Sequence, residues 1–247
     1  MAELAIIGGT GFTRLEGLEI ERREAMDTPY GEPSGALSFG RLFGREIVFL
    51  PRHGYGHTIP PHRVNYRANL WCLKNKGIRK VISICAVGAI REDMVPGALV
   101  IPDQIIDYSW SRRHTFFDKD LESVTHIDFT EPYCEELRAA LIAAAGHAGV
   151  EVIDSGTYGA TQGPRLESAA EIDRMERDGC DLVGMTGMPE TALARELGLC
   201  YAACAVSANR AAGRGDEPIT MEMIEGNIAS GMGQVRAILE QLIRQEY

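Results

Sequence analysis

Apolar residues run unbroken through Leu4-Ala5-Ile6-Ile7 and stop at Gly8-Gly9-Thr10-Gly11. So short a run, closed by glycines, predicts a buried strand. The same signature recurs at Glu46-Ile47-Val48-Phe49-Leu50, which runs into Pro51-Arg52-His53-Gly54, and at Lys80-Val81-Ile82-Ser83-Ile84, which ends at Ala86-Val87-Gly88. Leu99-Val100-Ile101, Gln104 to Asp107, Gly156 to Thr161, Asp181 to Met185 and Tyr201 to Ser207 continue the extended pattern. Helical spacing appears between them, over 65–77, 131–148, 168–178, 189–197 and 220–246, the last a long amphipathic segment.

Strands and helices alternate along the whole chain. That order predicts an α/β fold, a single domain over 1–247 with a central mixed, largely parallel sheet flanked by helices. Ligands in such sheets sit beyond the carboxyl ends of strands. Gly8 to Gly11, Arg52-His53, Cys85 to Gly88, Met185-Thr186 and Ala208-Asn209 are therefore expected to converge on one site. The longest irregular stretch, 108–128, is a functional-loop candidate, and 212–218 is expected to be a mobile loop.

Composition narrows the function. A net charge of -10 over 247 residues excludes a broad basic face for nucleic acid but leaves room for a pocket holding one small anion. Charged residues interrupt every apolar run before membrane-spanning length, and the N-terminus lacks the basic leader of a secretory signal. A cytoplasmic enzyme is expected. The six cysteines show no CxxC spacing, which predicts reduced thiols rather than a disulfide framework or zinc site.

The Gly8–Gly11 turn lacks a full G-x-G-x-x-G, since Phe12-Thr13-Arg14 follows Gly11. A small-anion loop fits better than a dinucleotide fingerprint, with backbone N–H groups and the Thr10 hydroxyl as donors, and a plain tight turn stands beside it. Arg52 offers a bidentate fork for phosphate oxygens, and His53 sits next to it. His57 and His62 follow at loop spacing, but no further ligand completes a metal set, so no metal is expected. Gly163-Pro164-Arg165-Leu166-Glu167 and Met185-Thr186-Gly187-Met188-Pro189-Glu190 both stand at strand-to-helix junctions. Their ordinary readings are a capping carboxylate for the first and core methionine with a Pro-Glu helix opening for the second.

Taken in order, the segments IIGGTGF (6–12), TPYGEPS (28–34), RHGYGHTIPPHRVNYRANLW (52–71), AVGAIRED (86–93), HIDFTEPYC (126–134), TQGPRLESAAE (161–171) and VGMTGMPETALARELGLCYA (183–202) resemble the trimeric purine nucleoside phosphorylase and methylthioadenosine phosphorylase family. The resemblance spans nearly the whole chain. Within the family it looks most like the bacterial S-methyl-5′-thioinosine phosphorylases.

The resemblance implies phosphate-dependent cleavage of a purine nucleoside by a homotrimer with shared sites. It implies no cofactor, inorganic phosphate being a co-substrate. Phosphate would meet Thr10, Arg52, His53, the Ala86 backbone and Thr186. Cys85 stands where methylthioadenosine phosphorylases carry threonine, so a hydroxyl donor is lost there. Met185 would pack under the ribose and base, Leu166 against the base, and Met221 and Ile224 around the 5′ substituent. His126 would reach that same end from a neighbouring subunit.

The base pair of residues carries the specificity. Relatives acting on 6-aminopurines have two aspartates where Asn209 and Ala211 stand here, and relatives acting on 6-oxopurines have Glu and Asn matching Glu167 and Asn209. A 6-oxopurine presents an N1–H that Glu167 accepts, while Asn209 donates to O6 and accepts from N7–H. Adenine against the same pair leaves buried polar groups mismatched, at about 1–3 kcal/mol. S-methyl-5′-thioinosine is thus the favoured substrate. A 5′-methylthioadenosine phosphorylase and a general inosine/guanosine phosphorylase are the alternatives, and an NAD-dependent oxidoreductase or an idle nucleoside-binding module the rivals from other classes.

Overall fold

The computed structural model describes residues 2–119, 121–216 and 218–246. Its organising element is strand β5 (Lys80–Ala89). Strand β11 (Cys200–Arg210) runs parallel to β5 along one edge, from Cys200 opposite Lys80 to Arg210 opposite Ala89. The other edge is shared. Strand β1 (Leu4–Gly8) runs parallel to β5 only as far as Ser83. Strand β10 (Leu182–Gly184) arrives antiparallel at Ala89 and Gly88. Two strands entering from opposite ends thus leave a gap on one edge of β5, between Ser83 and Gly88.

Outside β1 the sheet continues through β4 (Arg45–Pro51), β3 (Leu37–Leu42) and β2 (Glu19–Glu24), and outside β10 through β9 (Thr157–Ala160) and β7 (Gln104–Asp107). The short strands β6 (Leu99–Val100) and β8 (Val152–Ile153) extend it beyond β11. The pairings are parallel for β1–β4, β1–β5, β5–β11, β9–β10, β7–β9 and β6–β8, so the sheet is mixed and largely parallel.

The apolar runs alternate between two cores, because successive side chains leave opposite faces of a strand. Leu4 and Ile6 pack with Leu137 and Leu141 of α2 (Glu135–Ala148) and with Val235 and Leu239 of α5 (Met221–Glu246). Ala5 and Ile7 face Leu70 and Leu73 of α1 (Tyr66–Asn75) and Leu193 of α4 (Gly187–Glu196). Helix α3 (Ala169–Arg177) buries Ile172 and Met175, and a capping box of Ser168 and Glu171 starts it. Asn65 caps α1 by accepting from the Ala68 N–H at 3.2 Å.

Some expectations shift. The helix expected over 131–148 begins at Glu135, because Cys134 is extended and serves as its N-cap. Cys134 is also bonded to Cys200 as a disulfide, which corrects the expectation of six reduced thiols; Cys72, Cys85, Cys180 and Cys204 are free and buried. The bond ties the start of α2 to the start of β11. No helix among the described residues is long and apolar enough to cross a membrane.

Candidate active site

The gap on β5 opens into a cavity of about 490 Å³, lined by residues from the ends of β1, β4, β5, β10 and β11. That volume suits a small organic ligand. At one end stand Gly9 and Thr10, just beyond β1. Gly9 is obligatory: a Cβ there would lie 2.8 Å from the Ile84 carbonyl and 2.8 Å from Arg52 Nη1. The Ile84 carbonyl points into the gap, where it accepts from Arg52 Nη1 at 3.0 Å. Backbone groups alternate in direction along a strand, so the Ala86 N–H faces the same gap. With no strand paired there, it is a donor left for a ligand.

Arg52 is buried and does not present its fork to the cavity. Its Nε and Nη2 donate to Glu190 at 2.7 and 2.8 Å, and Nη2 also donates to Ser83 Oγ at 2.6 Å. Ser83 and Tyr201 hydroxyls donate to the same Glu190 oxygen at 3.1 and 2.8 Å. Burial alone pulls the Arg52 guanidinium down, and the Glu190 carboxylate overrides it and holds Arg52 charged. The bidentate grip on phosphate expected from the sequence is thereby replaced. One Nη1 hydrogen, beside Gly9, remains for an anion.

His53 is buried with Nδ1 at 2.7 Å from the Ile59 carbonyl. A carbonyl only accepts, so Nδ1 carries the hydrogen and Nε2 is the acceptor of the neutral ring. Burial, then the Arg52 charge, lower its pKa to about 4. Cys85 stays a thiol, pushed up to about 12 by burial. The Thr186 side chain makes no cap bond to α4, although Thr186 is its N-cap residue.

The opposite edge of the cavity carries Glu167 and Asn209. Thr161 Oγ1 donates to Glu167 Oε1 at 2.6 Å, leaving the second oxygen as the carboxylate's remaining acceptor. Strand β11 shifts register between Ser207 and Asn209, so that both Ala208 and Asn209 line the cavity, which strict alternation forbids. Asn209 Nδ2 donates to the Arg210 carbonyl at 2.7 Å. That bond fixes the amide: the other Nδ2 hydrogen and Oδ1 remain to meet a ligand. Leu166 and Met221, 43% and 62% exposed, stand at the mouth, and Ile224 lies behind Met221.

The sequence-predicted residues thus come together, with Ala86, Met185 and Thr186 between the two edges. His126 does not; it is exposed and lies outside the cavity lining. Sequence reasoning missed Glu190 as the partner of Arg52, Thr161 as the partner of Glu167, and the buried Arg112. The 212–218 loop is tied down by Arg214, which reaches Asp173 and Glu176 of α3 at 2.9 and 2.7 Å; Glu217 lies outside the described residues. Among the described residues, Cys134, Glu136 and Cys200 are the one group close enough to hold a metal, and its two sulfurs are joined to each other.

A gapped mixed sheet whose strand ends gather Thr10, Arg52, His53, Glu167 and Asn209 around one cavity defines a class, and the comparisons say which. Residues 3–244 match the phosphorylase superfamily, and the chain belongs to it. It is 54% identical over 243 residues to a probable S-methyl-5′-thioinosine phosphorylase of Pseudomonas syringae pv. tomato, covering 98% of this chain and 99% of that protein. It is 46% identical over 231 residues to the 6-oxopurine nucleoside phosphorylase of Pyrococcus furiosus, covering 91% and 86%. Among solved structures, the methylthioadenosine phosphorylase of Schistosoma mansoni in complex with adenine superposes with a TM-score of 0.94 at 33% identity, covering 99% of this chain and 91% of that one.

Proposed function

We propose that this enzyme uses inorganic phosphate to cleave the N-glycosidic bond of a purine nucleoside, giving free purine and a ribose 1-phosphate. S-methyl-5′-thioinosine is the favoured substrate. The observation that carries the reading is one cavity that gathers Gly9, Thr10, Arg52 and Ala86 together with the carboxylate of Glu167 and the amide of Asn209. Phosphate is the co-substrate, and the chemistry calls for no metal and no organic cofactor.

The geometry supports a division of labour. Phosphate sits in the β5 gap, on the Thr10 hydroxyl, the Ala86 N–H, Thr186 and the free Arg52 Nη1 hydrogen. Neutral His53 offers Nε2 as an acceptor, which suits the hydroxyl of a hydrogen phosphate dianion. A phosphate oxygen bonds to C1′ as the C1′–N9 bond breaks, and the purine leaves with the bonding pair. The proton that hydrogen phosphate gives up passes through solvent to N7 as the base leaves, and Asn209, with its amide fixed by Arg210, donates to O6 and accepts from the new N7–H, stabilising the departing base. Glu167 accepts from N1–H, and Met185 underlies the sugar. Holding nucleophile and nucleoside together without room for water turns the reaction to phosphorolysis rather than hydrolysis. The apolar Met221 and Ile224 suit a methylthio group at the 5′ end.

His126 is assigned to the 5′ end of a neighbouring subunit's site, within a homotrimer. The exposed Trp110, Leu121 and Val124 lie in the same irregular segment as His126. The enzyme is assigned to the cytoplasm, and the Cys134–Cys200 bond is the feature at odds with a reducing compartment. One assay tests the reading: cleavage of S-methyl-5′-thioinosine, 5′-methylthioadenosine, inosine and guanosine with and without phosphate. A sugar 1-phosphate formed only with phosphate is expected, with the first substrate fastest. Equal cleavage without phosphate would refute phosphorolysis. Mixing inactive Asn209→Ala and His126→Ala chains tests the shared site: exchanged oligomers regain activity if His126 acts across the interface.

A further inference from the structure

Arg112 is a buried arginine for which no acidic partner is found among the described residues. Every one of its five N–H groups is nevertheless spoken for. Nη1 donates to the carbonyls of Met185 and Met188 at 2.8 and 2.5 Å. Nη2 donates to the carbonyls of Thr161 and Gln162 at 3.0 and 2.7 Å. Nε donates to Gln162 Oε1 at 3.1 Å. The Tyr66 hydroxyl and ring add a neutral contact, at 3.4 Å from Nη1 and 5.6 Å from the guanidinium carbon, but burying a charge with no counter-charge is costly, so the arrangement calls for a reason.

The carbonyls belong to two segments far apart in sequence. One, Thr161-Gln162, leads into the loop bearing Leu166 and Glu167 and also supplies the hydroxyl that orients Glu167. The other, Met185 to Met188, is the turn bearing Met185 and Thr186. The two segments touch: Gly163 has φ +62, and a Cβ on it would overlap Met185 Sδ. Arg112 itself lies outside the cavity lining.

We infer that Arg112 is a positioning residue for the nucleoside. Its planar fork clasps the loop that reads the base to the turn that underlies the sugar, so that both act as one rigid wall. Of the groups assigned to phosphate, Thr10, His53, Ala86 and Arg52 stand on segments that Arg112 does not touch, and Thr186 alone lies on the clasped turn. Its loss therefore loosens nucleoside recognition and leaves phosphate recognition largely intact. A lysine cannot substitute, because a point ammonium with three donors does not span carbonyls from two segments.

The inference rests on the phosphorylase reading, and the experiment separates the two. Steady-state kinetics of Arg112→Lys and Arg112→Ala are measured against both substrates, with thermal melts alongside. Nucleoside KM should rise by about 10-fold or more in Arg112→Lys while phosphate KM moves by less than about 3-fold. Millimolar ethylguanidinium should restore part of the nucleoside KM in Arg112→Ala and leave wild type unchanged. If both variants fail to fold, Gln162→Leu, which removes the acceptor of Nε and of the Trp110 N–H while leaving the four carbonyl contacts, should raise nucleoside KM by about 3-fold. Unchanged nucleoside KM in the folded variants, or activity falling only in step with the unfolded fraction, would overturn the role of Arg112. A wild type that turns over no purine nucleoside sinks the phosphorylase reading instead.

Discussion

Replacing Asn209 by aspartate tests the base edge most directly. Asn209 is 7% exposed, and its Nδ2 donates to the Arg210 carbonyl at 2.7 Å. The Asp side chain keeps the shape, loses both N–H donors and sets an oxygen against the Arg210 carbonyl. Two costs follow, and they separate. The lost Arg210 bond penalises the enzyme whichever base is bound, by about 1–3 kcal/mol, and cancels in a ratio of substrates. The lost donor to O6 penalises only 6-oxopurines, whereas a carboxylate accepts from both N7–H and a 6-amino group. The ratio of kcat/KM for S-methyl-5′-thioinosine over 5′-methylthioadenosine should therefore fall by about 5- to 150-fold, equivalent to about 1–3 kcal/mol. Reversal should be incomplete, since Glu167 still favours N1–H and Ala211 provides no second carboxylate. Both substrates are assayed at one saturating phosphate concentration in wild type and variant. A ratio unchanged within about 2-fold, or a wild type that already prefers the adenine nucleoside strongly, would refute the pairing of Asn209 with O6 and N7.

Three more outcomes follow from the same geometry. His53 has its pKa lowered to about 4, below the ordinary 6.5, so the native state binds fewer protons between those values; its stabilising contribution is complete above pH 6.5 and lost as pH falls toward 4, about 3 kcal/mol in all. His53→Gln should flatten the fall of Tm across that window, and a pH profile parallel to wild type would contradict the buried neutral ring. Arg52→Ala leaves Glu190 buried and unpaired, so a stability loss of about 3–5 kcal/mol is expected with a raised phosphate KM. Arg52→Ala combined with Glu190→Gln should regain stability but not phosphate KM; recovery of both would remove Arg52 from the phosphate site. The Cys134–Cys200 bond joins residues 66 apart, so Cys200→Ser should lower stability by about 4 kcal/mol and Tm by about 10 °C. Six titratable thiols in the unreduced, denatured wild type would exclude the bond.

What the sequence disclosed follows the logic of burial. Strands β1, β4, β5 and β11 are covered on both faces and therefore read as apolar runs. Strand β2, Glu-Ile-Glu-Arg-Arg-Glu, is nearly all exposed and holds its place only by pairing with β3, so no pattern announced it. The site residues that line the cavity were legible because they stand at strand ends in motif-bearing turns. Their supports were not. Glu190 lies 138 residues from Arg52 and looks like an acidic residue opening a helix. Arg112 hides in an irregular loop, and four of its acceptors are backbone carbonyls that leave no trace in side-chain identity. Cys134 and Cys200 are too far apart for any spacing rule to pair them.

The gap in β5 has a further consequence for how this enzyme can change. Where a nucleophile is held by peptide groups, exchanging a side chain does not delete the contact, and this accommodates Cys85 at a position where a hydroxyl would otherwise help. Only a change that moves the strand, or a proline that removes the Ala86 N–H, reaches that contact, whereas Thr10, Arg52, His53 and Thr186 act through side chains. The base half is written in side chains, Glu167 and Asn209, on a bulged strand and a loop. The peptide contact at Ala86 is thus robust to point substitution, and the base edge is adjustable by it. The reaction can stay constant while the purine it accepts is retuned one residue at a time.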